Sequence, residues 1–337
     1  MRMSVLALAV LGAVFAGPAA AASFDCAKAR TPFAKAICGN PTLSTADDKL
    51  AKTFAAALQG LSPTARAEVQ QAHDAWVKYA NIACTKTAKP ATKPYTADDI
   101  ECLSELFADR TSLLESSKTM GGLRFYSVDR YAAIPDPDPT EDNSFIATKS
   151  VSTPRIDGTD GEAQAFNRFI ETDTTADIDP NSTQNLTSDD GQEDDADSLV
   201  VTAVTPARIT MTLTDYAYPH GAAHGSYSVT YIHYLRGEQR RLKEDDIFAG
   251  AAWQAKLQTL ALAAVKEQVG DNLMLDDPSS INPLVIDPER WDFSKQGLVL
   301  QFEPYEVAPF AAGAPTVTIP WSALDGLLAP SAVNFEN

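Results

Sequence analysis

The chain has 337 residues, of which 27 are basic and 45 acidic, for a formal charge of −18. This excess argues against nucleic acid or an anionic membrane surface as partners and favours a cationic partner or plain solubility. The length allows one or two domains, with ample chain for a core.

Residues 1–22 read as a secretory signal. Arg2 is the basic leading residue, Val5 to Phe15 an apolar core too short to span a bilayer, and Ala20-Ala21-Ala22 before Ser23 a small-residue cleavage site. Ser23-Phe24-Asp25 separates that site from Cys26, so no lipid anchor is expected. Loss of Arg2 with the signal leaves 26 basic against 45 acidic residues, a charge of −19. No later stretch approaches the roughly eighteen apolar residues of a membrane span. The mature chain is therefore expected to be soluble, and periplasmic or secreted.

Cys26, Cys38, Cys84 and Cys102 all lie in the first third. An even number after a signal points to disulfides. Three pairings are possible; the local ones, Cys26–Cys38 and Cys84–Cys102, are favoured. A zinc site is the rival reading, against which stand the absence of a C-x-x-C pair and the oxidising compartment.

The region up to residue 118 reads as helical. Ser44 with Asp47 resembles a capping box leading into Leu50, Phe54 and Leu58. Ser62-Pro63 opens the next helix, whose face carries Val69, Trp76 and Ala83. Thr96 with Asp99 starts a third, with Ile100, Leu103, Phe107 and Leu114 on one stripe. A Cys84–Cys102 bridge would close the 17-residue loop 85–101, worth about 3 kcal/mol in the chain-entropy model.

This frame resembles the N-terminal domain of the LprI-like family of lysozyme inhibitors. The matching residues are Phe24-Asp25-Cys26, Ala36-Ile37-Cys38, Leu43 with Asp47 or Asp48, Gln71 with Ala75-Trp76, Cys84, Cys102-Leu103, and Arg110 with Leu113. The departure is a long lysine-bearing insertion between Cys84 and Cys102.

Met120-Gly121-Gly122 breaks the helical pattern and sets the expected boundary between a helical domain, 23–118, and a second domain, 119–330. Strands are predicted at Arg124 to Ala133 and Phe145 to Val151, with a stiff proline loop over 135–139 between them. A helix is predicted at Glu162 to Ile170. Residues 171–197 hold ten acidic residues and no lysine or arginine, and read as an exposed or partly disordered loop. Strands resume at Leu199 to Val204 and at Arg208 to Asp215. A glycine-rich turn follows, from Tyr216 to Gly225, then the alternating strand Tyr227 to Tyr234. Trp253 to Val265 is the longest helix of this half.

The C-terminal stretch reads in three beats. Leu298 to Phe302 is a strand, 303–313 a loop stiffened by Pro304 and Pro309, and Pro315 to Pro320 a returning strand. Trp321 to Leu324 then starts a short helical turn. The run F-x-P-Y-E-V-A-P-F-A-A-G and the closing I-P resemble the RsiV-like family of lysozyme-binding extracytoplasmic domains. That resemblance extends over about 123–328 and is strongest from 200 to 325. It gives His224 the place of the family's G-x-x-H-G turn, and hence a binding or structural role. The family's membrane span and cytoplasmic segment have no counterpart here, so an anti-sigma factor of that design is not implied.

Candidate binding residues are Tyr305, Glu306, Phe310, His224 and Tyr218. The alternative for the loop is that Tyr305 and Phe310 fold back as core and Glu306 caps a turn. His220 and His224 are four apart, with His233 beyond, but Gly221 and Gly225 argue for a turn rather than a metal-binding helix face. The run 189–195 lacks calcium-loop spacing. G-x-S-x-G, P-loop and dinucleotide fingerprints are absent. The expectation is an α+β chain that is not an enzyme, with no catalytic residue, metal or cofactor. It would capture lysozyme or a related wall hydrolase, or alternatively bind peptidoglycan itself.

Overall fold

The computed structural model describes residues 22–138, 146–175 and 177–335. Residues 1–21, Pro139 and Phe145, on which parts of the expected signal, proline loop and strand fall, lie outside them, as does Ala176 of the acidic run.

Four helices come first: α1 Pro32–Gly39, α2 Pro41–Ala57, α3 Pro63–Ala83 and α4 Ala97–Glu115. Each is opened by a side-chain cap, from Thr31, Asn40, Ser62 and Thr96 in turn, and the first three carry proline in the first turn. Thr96 and Asp99 form the predicted reciprocal box. The expected start at Ser44 is corrected: Ser44 is buried inside α2, because Asn40 caps the Leu43 N–H and Pro41 presets the backbone three residues earlier. Both local disulfides form, Cys26–Cys38 and Cys84–Cys102. Leu43, Leu50, Leu103, Phe107 and Leu114 fill the helical core, with Trp76 edge-on to Phe107 at 5.0 Å.

A seven-stranded sheet follows: β1 Thr119–Met120, β2 Leu123–Pro135, β3 Ile146–Ile156, β4 Glu193–Val204, β5 Arg208–Pro219, β6 Ser226–Leu235 and β7 Arg240–Arg241. Its spatial order is the chain order. Every pairing is antiparallel except β3–β4, whose long connection carries α5 Gly161–Thr172. Ala163, Phe166 and Phe169 of α5 pack on one sheet face with Leu199, Met211 and Ile232.

The C-terminal part adds α6 Glu244–Ile247, α7 Trp253–Val269 and α8 Asn282–Val285, then a small antiparallel sheet of β8 Trp291–Phe293, β9 Gly297–Gln301 and β10 Thr316–Pro320 in the order β10-β9-β8. Leu257, Ala261 and Val265 of α7 join the core with Leu298, Leu300 and Ile319. The chain is α+β as the sequence predicts, with a disulfide-stapled helical region, a mainly antiparallel sheet and one long helix in the second half.

The acidic run 171–197 is not a loop throughout. Glu193 to Asp197 form the first half of β4, between β3 and β5. The buried Lys149 on β3 pairs with Asp195, a neutralising partner that local composition cannot reveal. Further upstream Asp177 clamps Arg241, and Ile178 is buried.

The helices and the sheet share a buried boundary. Tyr126, Val128, Tyr131 and Ala133 of β2 pack into the helical core. Arg110 of α4 pairs with Asp129 of β2, with side chains 0 % and 1 % exposed, and donates to the Tyr131 hydroxyl at 2.9 Å. Ser127 donates to the same carboxylate. Tyr126 reaches Glu68 of α3 at 2.9 Å.

Candidate functional site

The loop between β9 and β10 is held at its root. Phe302 N–H donates to the Pro315 carbonyl, continuing the β9–β10 ladder, and Val307 and Ala308 are buried in the C-terminal core. Glu306 turns inward. Its carboxylate accepts from the Glu303 N–H at 2.6 Å and faces the Arg290 guanidinium at 2.9 Å. Arg290 also reaches Glu303, which accepts the Val229 N–H at 2.9 Å and so ties the loop to β6. Burial raises the Glu303 carboxyl above its usual range, against the lowering effect of Val229 and Arg290.

With the root fixed, the tip has little freedom. Tyr305 takes φ +72°, the left-handed region that an ordinary side chain avoids at a cost of about 1–2 kcal/mol. Its N–H is satisfied by the Ala308 carbonyl at 3.0 Å, and its ring is 54 % exposed.

Phe310 stacks on His224 at 4.1 Å between ring centres, lies 5.7 Å from Tyr305 and stands edge-on to Tyr227 at 6.2 Å. His224 Nδ1 lies 2.8 Å from the Gly225 carbonyl. A carbonyl only accepts, so this nitrogen carries the proton; in the neutral ring Nε2 then accepts from the Tyr305 hydroxyl at 3.3 Å. Three of the five candidate residues, Tyr305, Phe310 and His224, thus converge into one outward-facing aromatic patch from two distant loops. Its rings are fixed before any partner arrives, which lowers the entropy lost on binding.

The other two candidates lie elsewhere. Glu306 is the ion-paired brace of the loop, the turn-forming alternative read from sequence. Tyr218 donates to the Ala222 carbonyl at 3.2 Å and holds the 219–222 turn from within. The other histidines separate as well. His220 is buried against Asp136 at 2.5 Å, with both side chains 2 % exposed. His233 is core: Nε2–H donates to the Trp291 carbonyl at 2.6 Å, Nδ1 accepts from Thr210, and burial lowers the ring to about 3. Among the described residues no group of three or more His, Cys, Asp or Glu is placed to hold a metal ion.

Sequence reasoning missed Arg290, the anchor of the whole loop. It sits in a Pro-Glu-Arg turn, and nothing local points to carboxylates thirteen and sixteen residues on.

Residues 26–114 match the family described as lysozyme inhibitor LprI, and residues 245–322 match DUF3298, described as a protein of unknown function. The second match falls in the RsiV-like C-terminal region, so both resemblances drawn from the sequence stand, side by side in one chain. Among solved structures, a DUF3298 family protein from Pseudomonas aeruginosa PAO1 is 16 % identical with a TM-score of 0.45, over 62 % of this chain and 96 % of that one. A DUF3298 family member from Bacteroides fragilis NCTC 9343 is 17 % identical with a TM-score of 0.46, over 65 % and 98 %. No curated protein matches the chain. Among the described residues no helix is long and apolar enough to cross a membrane.

Proposed function

We propose that this chain is an exported binding protein that captures lysozyme or a related cell-wall hydrolase and inhibits it sterically, without a cofactor and without catalysing a reaction itself. The observation that carries the reading is the match of residues 26–114 to a family of lysozyme inhibitors. Two features support it. The paired cysteines fit an oxidising compartment. A charge of −18 steers a cationic hydrolase toward the surface.

The contact surface we assign is the Tyr305, Phe310 and His224 patch. Aromatic side chains on a rigid frame are common among interface hot spots, whose truncation costs about 2 kcal/mol or more, roughly thirtyfold in affinity. The test is binding of residues 23–337 to c-, g- and i-type lysozymes at physiological salt, paired with a lytic assay and with Tyr305→Ala/Phe310→Ala. Sub-micromolar binding that collapses in the folded double variant supports both capture and the patch. Binding that survives moves the contact to the helical region. No binding to any type overturns the capture reading and leaves retention on protein-free sacculi as the assay for the peptidoglycan alternative.

A further inference from the structure

The chain carries a net charge of −18, but the sign is not uniform along it. Residues 26–95 hold ten basic and four acidic residues, a charge of +6, while residues 96–337 hold 16 and 40, a charge of −24. Two stretches carry the basic excess. Residues 26–46 contain Lys28, Arg30 and Lys35 and no Asp or Glu; residues 75–97 contain Lys78, Lys86, Lys89 and Lys93 and again none. At physiological ionic strength a potential decays over about 8 Å, so a surface answers to its own charge rather than to the total. Net charge therefore excludes an anionic surface for the acidic second half of the chain, but not for this end of the helical region.

The fold brings the two stretches together. Phe33 of α1 meets Tyr95 edge-on at 6.4 Å between ring centres, and the Tyr95 hydroxyl donates to the Asn81 carbonyl at 3.2 Å. A disulfide staples each stretch, Cys26–Cys38 in one and Cys84–Cys102 at the root of the other. Asp25, at the border of the first, pairs with Lys28 at 3.6 Å. Arg30, Lys35, Lys89 and Lys93 are exposed, and among the described residues none of the four has a carboxylate within ion-pairing distance. Apolar side chains stand at the same end. Phe24 is 38 % and Val77 40 % exposed, two of the six large hydrophobic residues that are exposed among the described residues. Both line one small cavity of about 220 Å³, with Phe33, Ile37 and Trp76 among its other walls. Phe33 thus joins the apolar pair to the basic loop.

This chemistry separates the possible occupants. A discrete anion needs donors that converge on one point, whereas these cations end separate flexible stems in water. An acidic peptide would answer the cations and leave Phe24 and Val77 at water. A bilayer with anionic head groups uses both features: diffuse negative charge meets the basic side chains, and the acyl boundary beneath it takes the apolar ones.

We propose that this end of the helical region docks on a bilayer bearing anionic head groups, with Arg30, Lys35, Lys89 and Lys93 against the head groups and Phe24 and Val77 entering the interface. The acidic second half is repelled from the same bilayer, which sets the end of the chain that faces it. The surface is separate from the aromatic patch and does not depend on capture of a hydrolase. The test is co-sedimentation of residues 23–337 with vesicles of phosphatidylcholine, with and without phosphatidylglycerol as about a third of the lipid. Anionic vesicles should bind half the protein at or below about 1 mM lipid, and neutral vesicles should not. Raising salt from about 0.1 M to about 0.5 M should weaken binding at least tenfold. Each basic residue near such a surface adds about fivefold to affinity, so Lys35→Gln/Lys89→Gln/Lys93→Gln should weaken binding by at least about tenfold. Lys256→Gln/Lys266→Gln/Lys295→Gln changes the net charge equally at exposed positions of the second half and should leave binding unchanged. Phe24→Ala should weaken binding at least about threefold. The proposal is overturned if anionic vesicles do not bind, if neutral vesicles bind as well, or if salt has no effect. It is equally overturned if the two triple variants behave alike, if Phe24→Ala changes nothing, or if polyglutamate binds and vesicles do not. The lipid and salt dependence of the unsubstituted protein keeps the test decisive should a variant not fold.

Discussion

Replacing Arg110 with methionine removes one charge from a pair that solvent does not reach. The guanidinium and the Asp129 carboxylate are 0 % and 1 % exposed. Asp129 would keep only the Ser127 hydroxyl as a donor among its described side-chain partners, and the Tyr131 hydroxyl would lose the donor 2.9 Å away. Breaking a buried pair by removing one partner costs about 3–5 kcal/mol, because the remaining charge stays buried without compensation. Arg110→Met is therefore expected to lose about 3–5 kcal/mol. Urea unfolding followed by far-UV circular dichroism should show a lower midpoint with an unchanged slope. The double variant Arg110→Met/Asp129→Met removes both charges, so it should be more stable than the sum of the two single losses by at least about 1 kcal/mol. A single-variant loss below about 1 kcal/mol, or a double variant that falls by the full sum, would refute the account of this junction as a charge pair sealed between helix and strand.

Three other outcomes are expected. Cys84→Ser/Cys102→Ser frees the loop 85–101 and should lower stability by about 3 kcal/mol in chemical denaturation. Burial, with Asp215 and Asp195 beside it, raises the Asp197 carboxyl to about 7. An acid whose folded pKa lies above its unfolded value makes the fold lose stability as pH rises between the two, so Asp197→Asn should gain on the parent from about pH 4 to about pH 7 and then hold level. Melting temperatures of both proteins across pH 4–8 check the sign. Glu306→Ala removes one of the two carboxylates that hold Arg290, leaving Glu303, and the acceptor of the Glu303 N–H. A lost charge-assisted bond of about 1.5–3 kcal/mol should speed exchange of the Glu303 amide roughly ten- to a hundredfold.

Local signals carried well from sequence to structure. Ser62-Pro63 and Thr96 with Asp99 open helices where predicted, because a cap is decided within three residues. The Asn40 cap was missed because Ser44, inside the same helix, offers a competing pattern that burial overrides. The second half of β4 was legible from Leu199 to Val204, but its first residues were hidden by their charge: Asp195 lies in the sheet because Lys149 answers it from 46 residues away. The patch was partly legible, since a strand, a proline-stiffened loop and a returning strand announce a displayed tip. The inward turn of Glu306 depends on Arg290, and the burial of His220 on Asp136, 84 residues earlier. Such partnerships are made only by the fold.

The turn after β5 places two adjacent residues under two different surfaces. Gly225 lies beneath the exposed ring of Tyr216, while His224 lies under Phe310 in the patch. A ligand pressing on one ring and a protein covering the other would bear on the same peptide unit. Any resulting coupling is reciprocal: a ligand at the Tyr216 ring that tightens the protein partner fivefold is itself tightened fivefold by that partner, about 1 kcal/mol each way. The order in which the two arrive then makes no difference to the final affinity. Affinities measured at both surfaces, singly and together, would report whether the peptide unit joining His224 to Gly225 links them.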